Sequence, residues 1–357
     1  MSLTLNVDGP RWRAHLRATV AASPGIVPVI KGNGYGFGKS RLATEMAALE
    51  LDTIAVGTYD EIQLAMDFPG DLVVLTPWRP FGSAIDLVLN DQAPHDRLIH
   101  TVSRLQDLED LLTRQPTARF VIERATSMLR HGMTARELRE ADGILRGLET
   151  PEHPARLEGV SFHLPLAGSN LSQARRLMTD VVASGLPTHT IWVSHLTRTD
   201  LTALRTAYAD FTIRPRIGTD LWLGDRSALR VTATVLDRHH VERGDTFGYR
   251  GRTAPKAGTI LVVSGGTSHG IGLEAPSGDL SMKARAATLA RGGLDAVGFV
   301  RSPYSVFGKQ RLFAEPPHMQ ASMLFLPQGA LVPSVGDEIE VRVRYTATDF
   351  DRVLVSE

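Results

Sequence analysis

Lys31 closes the run Val27-Pro28-Val29-Ile30-Lys31, and Gly32-Asn33-Gly34-Tyr35-Gly36-Phe37-Gly38 follows at once. A short, largely β-branched run reads as a strand. It delivers one amine to a loop whose glycines let backbone N–H groups come close to a ligand. An amine placed there, with a phenol and backbone donors beside it, suits the capture of an aldehyde cofactor that carries a phosphate. Two other readings of the stretch stay open. Gly38-Lys39-Ser40 ends like a P-loop, although Asn33 stands where such a loop needs its first glycine. A lysine ending a buried strand also serves simply by snorkelling to water. The other lysines are Lys39, Lys256, Lys283 and Lys309, and none of them directly follows an apolar strand pattern and precedes such a loop.

An amine of this kind needs a scaffold, and the first two-thirds of the chain alternates short apolar runs with longer helical patterns. The strand candidates are Val27–Lys31, Thr53–Gly57, Leu72–Thr76, Leu98–Val102, Phe120–Glu123, Gly159–His163, Thr190–Ser194 and Phe211–Gly218. Helical spacing marks Arg11–Ala22, Ser40–Leu51, Tyr59–Phe68, Thr134–Leu148 and Leu171–Ser184. Eight such βα units close a (β/α)8 TIM-like barrel, whose active-site residues sit at C-terminal strand ends; an open doubly wound sheet has the same periodicity. The polar or ionisable residues at those ends are Lys31, Glu123, His163, Ser194 and Arg216. Beyond Gly224-Asp225 the texture changes to strands such as Val231–Val235, Thr259–Val263, Ser322–Leu326 and Ile339–Val343, separated by Gly, Pro and Asp turns. The expected organisation is an α/β barrel domain over residues 1–226 and an all-β C-terminal domain over 227–357.

Composition narrows the function classes. The 357 residues are 43% hydrophobic and carry a formal net charge of +0, so no nucleic-acid or membrane partner is expected. The absence of cysteine excludes a disulfide scaffold, a zinc–thiolate site and a catalytic thiol, and no metal is expected. No leader-like start and no membrane-length apolar run is evident, so a soluble cytoplasmic protein is expected.

The Lys31–Gly38 stretch resembles the Lys-Ala-Asn-Ala-Tyr-Gly-His-Gly signature of alanine racemases, fold-type-III enzymes that use pyridoxal 5'-phosphate (PLP), departing from it at Gly32, Gly34 and Phe37. Motif-level likeness continues over nearly the whole chain. It implies a Schiff-base lysine and catalytic base at Lys31, and a phosphate site from Tyr35, Ser194, Gly218 and Thr219. Arg216-Ile217-Gly218-Thr219 resembles the family's Arg-Pro-Gly-Ile, whose arginine faces the pyridine nitrogen; a rival register would use Arg214-Pro215. His163 resembles the histidine packed on the cofactor ring. Met128-Leu129-Arg130-His131-Gly132 resembles Met-x-Arg-x-Gly, which gives Arg130 a role on the substrate carboxylate. Seven positions before Arg130, where many members carry a carbamylated lysine, stands Glu123, expected to pair with Arg130 as a simpler acid. His318-Met319-Gln320 takes the place of Cys-Met-Asp, so that Met319 would offer its N–H to the substrate.

One departure bears on the reaction. Gly266-Thr267-Ser268-His269-Gly270 takes the place of Gly-Tyr-Ala-Asp-Gly, whose tyrosine is the second base, supplied by the partner subunit of a homodimer with shared active sites. Thr267 is too weak an acid for that task. His269 is the candidate replacement, since imidazole titrates near neutrality. The resemblance therefore implies a PLP-dependent amino-acid racemase of unknown substrate. The alternative is a PLP-binding homologue that no longer racemises, or a one-base enzyme.

Overall fold

The computed structural model describes residues 2–89, 96–148, 156–273 and 300–357; Lys283 lies outside them. The chain divides into two compact units, Ala14–Gly224 and Met1–Arg13 with Asp225–Glu357. It begins with strand β1 (Leu3–Val7) and helix α1 (Gly9–Ala21), within which the division falls.

Unit Ala14–Gly224 is a closed barrel of eight parallel strands: β2 (Val27–Ile30), β3 (Thr53–Val56), β4 (Asp71–Val74), β5 (Leu98–Val102), β6 (Arg119–Arg124), β7 (Arg156–His163), β8 (Thr190–Ser194) and β9 (Thr212–Ile217), with β9 pairing back to β2. The helices α2 (Lys39–Ala47), α3 (Ser83–Leu89), α4 (Leu105–Arg114), α5 (Ala135–Leu148), α6 (Asn170–Val182), α7 (Arg198–Ala207) and α8 (Thr219–Leu223) follow β2, β4, β5, β6, β7, β8 and β9 in turn. The segment after β3 departs from its helical expectation. It is a 3-10 helix, Tyr59–Ala65, and its buried residues Tyr59, Ile62 and Ala65 recur every third position. A period of three suits the tighter helix better than 3.6.

Alternation along the strands sorts the barrel into layers. Val27, Val29, Ala55, Val73, Ile99, Val121 and Trp192 form one buried cluster in the interior. Counting two residues onward from Val29, Val121 and Trp192 gives Lys31, Glu123 and Ser194, so the interior face continues into these residues at the C-terminal end. On β9 the same parity carries Arg214 and Arg216. Arg214 lies over the Trp192 ring at 4.7 Å and pairs with Asp52 at 2.5 Å, whereas Arg216 is buried one step higher.

The other unit is an antiparallel β domain built on β10 (Leu229–Val241), with β11 (Thr246–Phe247) and β12 (Arg252–Thr253) as a small separate ribbon. Its main sheet adds β13 (Gly258–Ser264), β14 (Arg301–Val306), β15 (Lys309–Phe313), β16 (Ala321–Pro327), β17 (Glu338–Val341) and β18 (Arg352–Val355). The N-terminal strand belongs here rather than to the barrel. β1 is antiparallel to β10 and parallel to β18, and its backbone groups find their ladder partners there. Among the described residues no helix is long and apolar enough to cross a membrane.

Candidate active site

Lys31 stands one residue past β2, and two loops converge on it. Glu61, from the 3-10 helix, accepts the Gly32 N–H through Oε1 at 2.8 Å and the Gly57 N–H through Oε2 at 2.7 Å. One carboxylate therefore ties the loops after β2 and β3 together, a role no motif in the sequence announced. Lys39, the P-loop candidate, donates to the Gly32 carbonyl and stands 3.6 Å from Glu61. It is thus committed to the loop itself. Desolvation, then the charges of Arg130 and Arg216, lowers the Lys31 pKa, with Glu61 acting in the opposite direction. The sum enlarges the neutral, nucleophilic fraction of the amine.

Tyr35 sits in the same loop with φ 55 and is buried. Its phenol lies against Gly218, the residue that precedes α8, where an added Cβ would overlap Tyr35 Oη. Only glycine permits that approach, which brings the phenol beside the backbone of Gly218 and Thr219. Burial raises the Tyr35 pKa, so the group stays a hydroxyl donor, and Oη makes no hydrogen bond among the described residues.

On the far wall, Ser194 Oγ and His163 Nδ1 are 3.0 Å apart, and the two residues are register partners on β8 and β7. The hydroxyl expected at a phosphate is thus engaged with the imidazole. Burial, followed by the charges of Arg216 and Arg130, pulls the His163 pKa down to about 3. Since an unfolded histidine titrates near 6.5, the unfolded chain binds more protons between these values. Stability is then expected to fall as pH drops below about 6.5 toward the folded-state value. Urea midpoints followed from neutral to mildly acidic pH check this, and His163→Gln should flatten part of the slope.

Arg216 is buried, its Nη2 donates to the Phe162 carbonyl at 3.1 Å, and its Nε has no partner. Burial lowers its pKa to about 10 against the opposing pull of Glu123, which leaves it cationic at neutral pH. Glu123 is also buried, and its Oε2 likewise has no partner. The expected Glu123–Arg130 ion pair is not formed: Arg130 is exposed on the loop after β6, and among the described residues no ion pair joins the two. Burial raises the Glu123 pKa, and the charge that chiefly opposes this is that of Arg216, ahead of Arg130 and Arg79. Both arginines thus favour the carboxylate, the buried Arg216 more than Arg130.

An aldehyde cofactor with a phosphate and a ring nitrogen fits this donor set. The Lys31 amine with its lowered pKa, the free phenol beside a glycine cradle and the orphaned Arg216 Nε are three complementary contacts left open by the protein. A buried unpaired donor costs about 1–3 kcal/mol unless a ligand or water satisfies it.

A family model described as the alanine racemase N-terminal domain matches residues 8–222. The chain belongs to the alanine racemase family. Among solved structures it is similar to alanine racemase from Bartonella henselae with covalently bound pyridoxal phosphate, at 16% identity and TM-score 0.70, covering 99% of this chain and 100% of that one. Alanine racemase from the D-cycloserine producer Streptomyces lavendulae aligns at 18% identity and TM-score 0.69, covering 100% and 98%. The enzyme from E. faecalis aligns at 18% and 0.68, covering 99% and 98%. At these identities the likeness speaks for the fold. No curated protein matches the sequence.

The remaining candidates of this alanine racemase relative lie in the β domain. The Met319 side chain is 73% exposed. Its carbonyl accepts from the backbone N–H of Ser268 at 2.9 Å and from the Ser268 hydroxyl at 2.6 Å. The His318 carbonyl accepts from Thr267 N–H at 2.8 Å, so the 266–270 turn rests on the 318–320 turn. His269, the expected second acid/base, is buried. Its Nδ1 accepts the Gly266 N–H at 3.2 Å, and its Nε2 lies 3.1 Å from Asp351 Oδ1. The other oxygen of Asp351 accepts the Leu3 N–H at 2.7 Å, so His269 serves the seam between β1 and the segment leading into β18. Both ring nitrogens are engaged within the β domain. Sequence spacing could not reveal these partners, because Asp351 is 82 residues away.

Proposed function

We propose that the protein is a PLP-dependent amino-acid racemase or epimerase that works as a homodimer with shared sites. The observation that carries this reading is the buried, unpaired Arg216 Nε on the same barrel end as the pKa-lowered Lys31. PLP held there would supply a ring that withdraws electrons from the substrate and acidifies its α-C–H bond. Arg216, cationic and donating through Nε, would keep the ring nitrogen unprotonated and the withdrawal moderate. Lys31 Nζ would hold the aldehyde carbon and, once released, take or return the α-proton on one face. His163, neutral across working pH, would cover the ring without adding charge. Tyr35, Gly218 and Thr219 would hold the phosphate, with Ser194 placed to join them by turning from His163. Arg130 would attract the substrate carboxylate from the exposed loop, and the Met319 N–H would be offered to it across the dimer.

The test is α-proton exchange in D2O. Purified protein is incubated with PLP and separately with L- and D-amino acids, and proton NMR follows washout and chirality. Exchange with inversion is the expected result, and the fastest amino acid names the substrate class. Failure to take up PLP at all would remove the reading. A second reading, a PLP-binding homologue without racemisation, draws on Thr267 and on the commitment of His269. It calls for cofactor uptake with no exchange.

A further inference from the structure

We infer that Glu123 is the second proton-transfer group of the reaction proposed above, working from the barrel wall opposite Lys31. The inference rests on that reading and deepens it by naming the acid/base on the other side of the substrate. Every residue it uses belongs to the Ala14–Gly224 unit.

The fold sets the two groups against each other. In the closed ring β2-β3-β4-β5-β6-β7-β8-β9, β6 is four strands from β2 in either direction. Val29 of β2 and Val121 of β6 belong to the same buried interior cluster. Side chains alternate along a strand, so the next inward positions above that layer are Lys31 on one wall and Glu123 on the other. An eight-stranded barrel is just wide enough for side chains to fill, so groups on opposite walls reach one central space. Arg216 and Arg130 act on the charge of both groups, which puts the two in one electrostatic neighbourhood. Proton transfer at both sides of a single carbon asks for this placement, one group on each side.

Glu123 is also uncommitted. It is 4% exposed, and its carboxylate makes no hydrogen bond or ion pair among the described residues. Burying such a group without a partner is costly, and buried polar groups that serve only the fold are paired. Its backbone, by contrast, is fixed. The Glu123 carbonyl accepts the Met133 N–H at 2.7 Å, and Glu123 is the register partner of Ser161 on β7. Ser161 is buried and its hydroxyl is likewise unpartnered. A hydroxyl both donates and accepts, so Ser161 can hold the carboxylate and the carboxylic acid alike. Burial favours the acid, while the charges of Arg216, Arg130 and Arg79 favour the carboxylate, and burial is the larger influence. A carboxyl raised above its ordinary range, yet within reach of cations, is suited to give and take a proton.

The other titratable groups described at this end of the barrel fit less well. His163 Nδ1 is engaged with Ser194 Oγ, and its pKa of about 3 is too low to hold the proton that has to be delivered. His195 donates from Nδ1 to the Leu164 carbonyl at 2.6 Å and stands edge-on to His163 at 5.1 Å, on the β7–β8 side rather than opposite β2. Both oxygens of Glu61 are taken by Gly32 and Gly57. Tyr35 shares the loop of Lys31, and His131 lies on the exposed loop after β6.

The proton count closes. In one direction neutral Lys31 removes the α-proton, and the electron pair of the broken C–H bond stays with the substrate. The carboxylic acid of Glu123 delivers its proton to the opposite side, where that pair forms the new C–H bond. Lys31 is left as an ammonium and Glu123 as a carboxylate favoured by Arg216 and Arg130. That is the starting state of the reverse reaction, and proton exchange with water restores the first.

The experiment compares wild type, Glu123→Gln, Glu123→Asp, Ser161→Ala and His195→Gln, each loaded with PLP, by α-proton washout from the two enantiomers separately. Cofactor uptake, read by visible absorption and by protein mass after borohydride reduction, should be retained in all of them. Glu123→Gln is expected to keep washout from one enantiomer and to lower it from the other by about 100-fold or more. The pH profile of the affected enantiomer should lose one limb. Glu123→Asp and Ser161→Ala should lower the same enantiomer by less, and they carry the test if Glu123→Gln does not fold. His195→Gln should leave the ratio of the two enantiomers unchanged. Equal loss for both enantiomers, no loss, loss of cofactor confined to the Glu123 variants, or a selective loss in His195→Gln instead would overturn the assignment to Glu123. So would a wild type that exchanges only one enantiomer, although Lys31 would keep its role. A wild type that takes up no PLP would bring down the racemase reading itself, and this inference with it.

Discussion

Lys31→Ala is expected to abolish covalent retention of PLP and to reduce α-proton exchange by more than about 10⁴-fold, since it removes both the attachment point and a base. Lys31→Arg should fail equally, because a guanidinium does not deprotonate at working pH. Folding should survive, since the side chain ends at the exposed mouth of the barrel. Two measurements suffice: protein mass after borohydride reduction in the presence of PLP, and NMR washout with and without a small added amine. Partial recovery of exchange by the amine would mark the loss as chemical rather than structural. Undiminished covalent uptake in Lys31→Ala would move the site elsewhere, with Lys39 the nearest alternative, although its amine is already committed to Gly32 and Glu61.

The second large effect concerns the barrel interior. Arg216→Leu leaves the Glu123 carboxylate buried with its principal opposing cation gone. A loss of about 1–3 kcal/mol in unfolding free energy is expected, because the buried carboxylate then lacks the charge that chiefly favours it. Glu123→Gln in the same background should recover a large part of it, since a neutral amide avoids that charge. The double-mutant cycle, measured by urea denaturation without cofactor, should therefore give a coupling of about 1–3 kcal/mol. Strict additivity would mean that Glu123 takes up a proton in place of relying on Arg216. The same variants read the cofactor independently: Arg216→Leu should weaken PLP uptake, while Glu123→Gln should spare it more.

Much of this site was legible before any coordinates. Barrel strands announce themselves by apolar runs, and parity from Val29, Val121 and Trp192 leads to Lys31, Glu123 and Ser194. Pairings distant in sequence left no such trace. Glu61 binds Gly32 across 29 residues, and β1 finds its place between β10 and β18 only when the C-terminal end returns to it. Glu123 illustrates a subtler limit. Its position seven residues before Arg130 suggested a pair, yet Arg130 lies out on an exposed loop while Arg216 shares the barrel interior.

The sequence by itself determined the βα rhythm, the β-rich tail, the lysine at the first strand end and the family those residues resemble. These rest on local periodicity and short motifs, which the chain carries wherever it folds. Only the tertiary structure decided what each imidazole touches. Spacing singled out His269, whose ring nitrogens are held by Gly266 and Asp351, whereas His318 rests on a buried Glu315. A residue's availability depends on what long-range folding places against it, and that is a property of packing rather than of spacing.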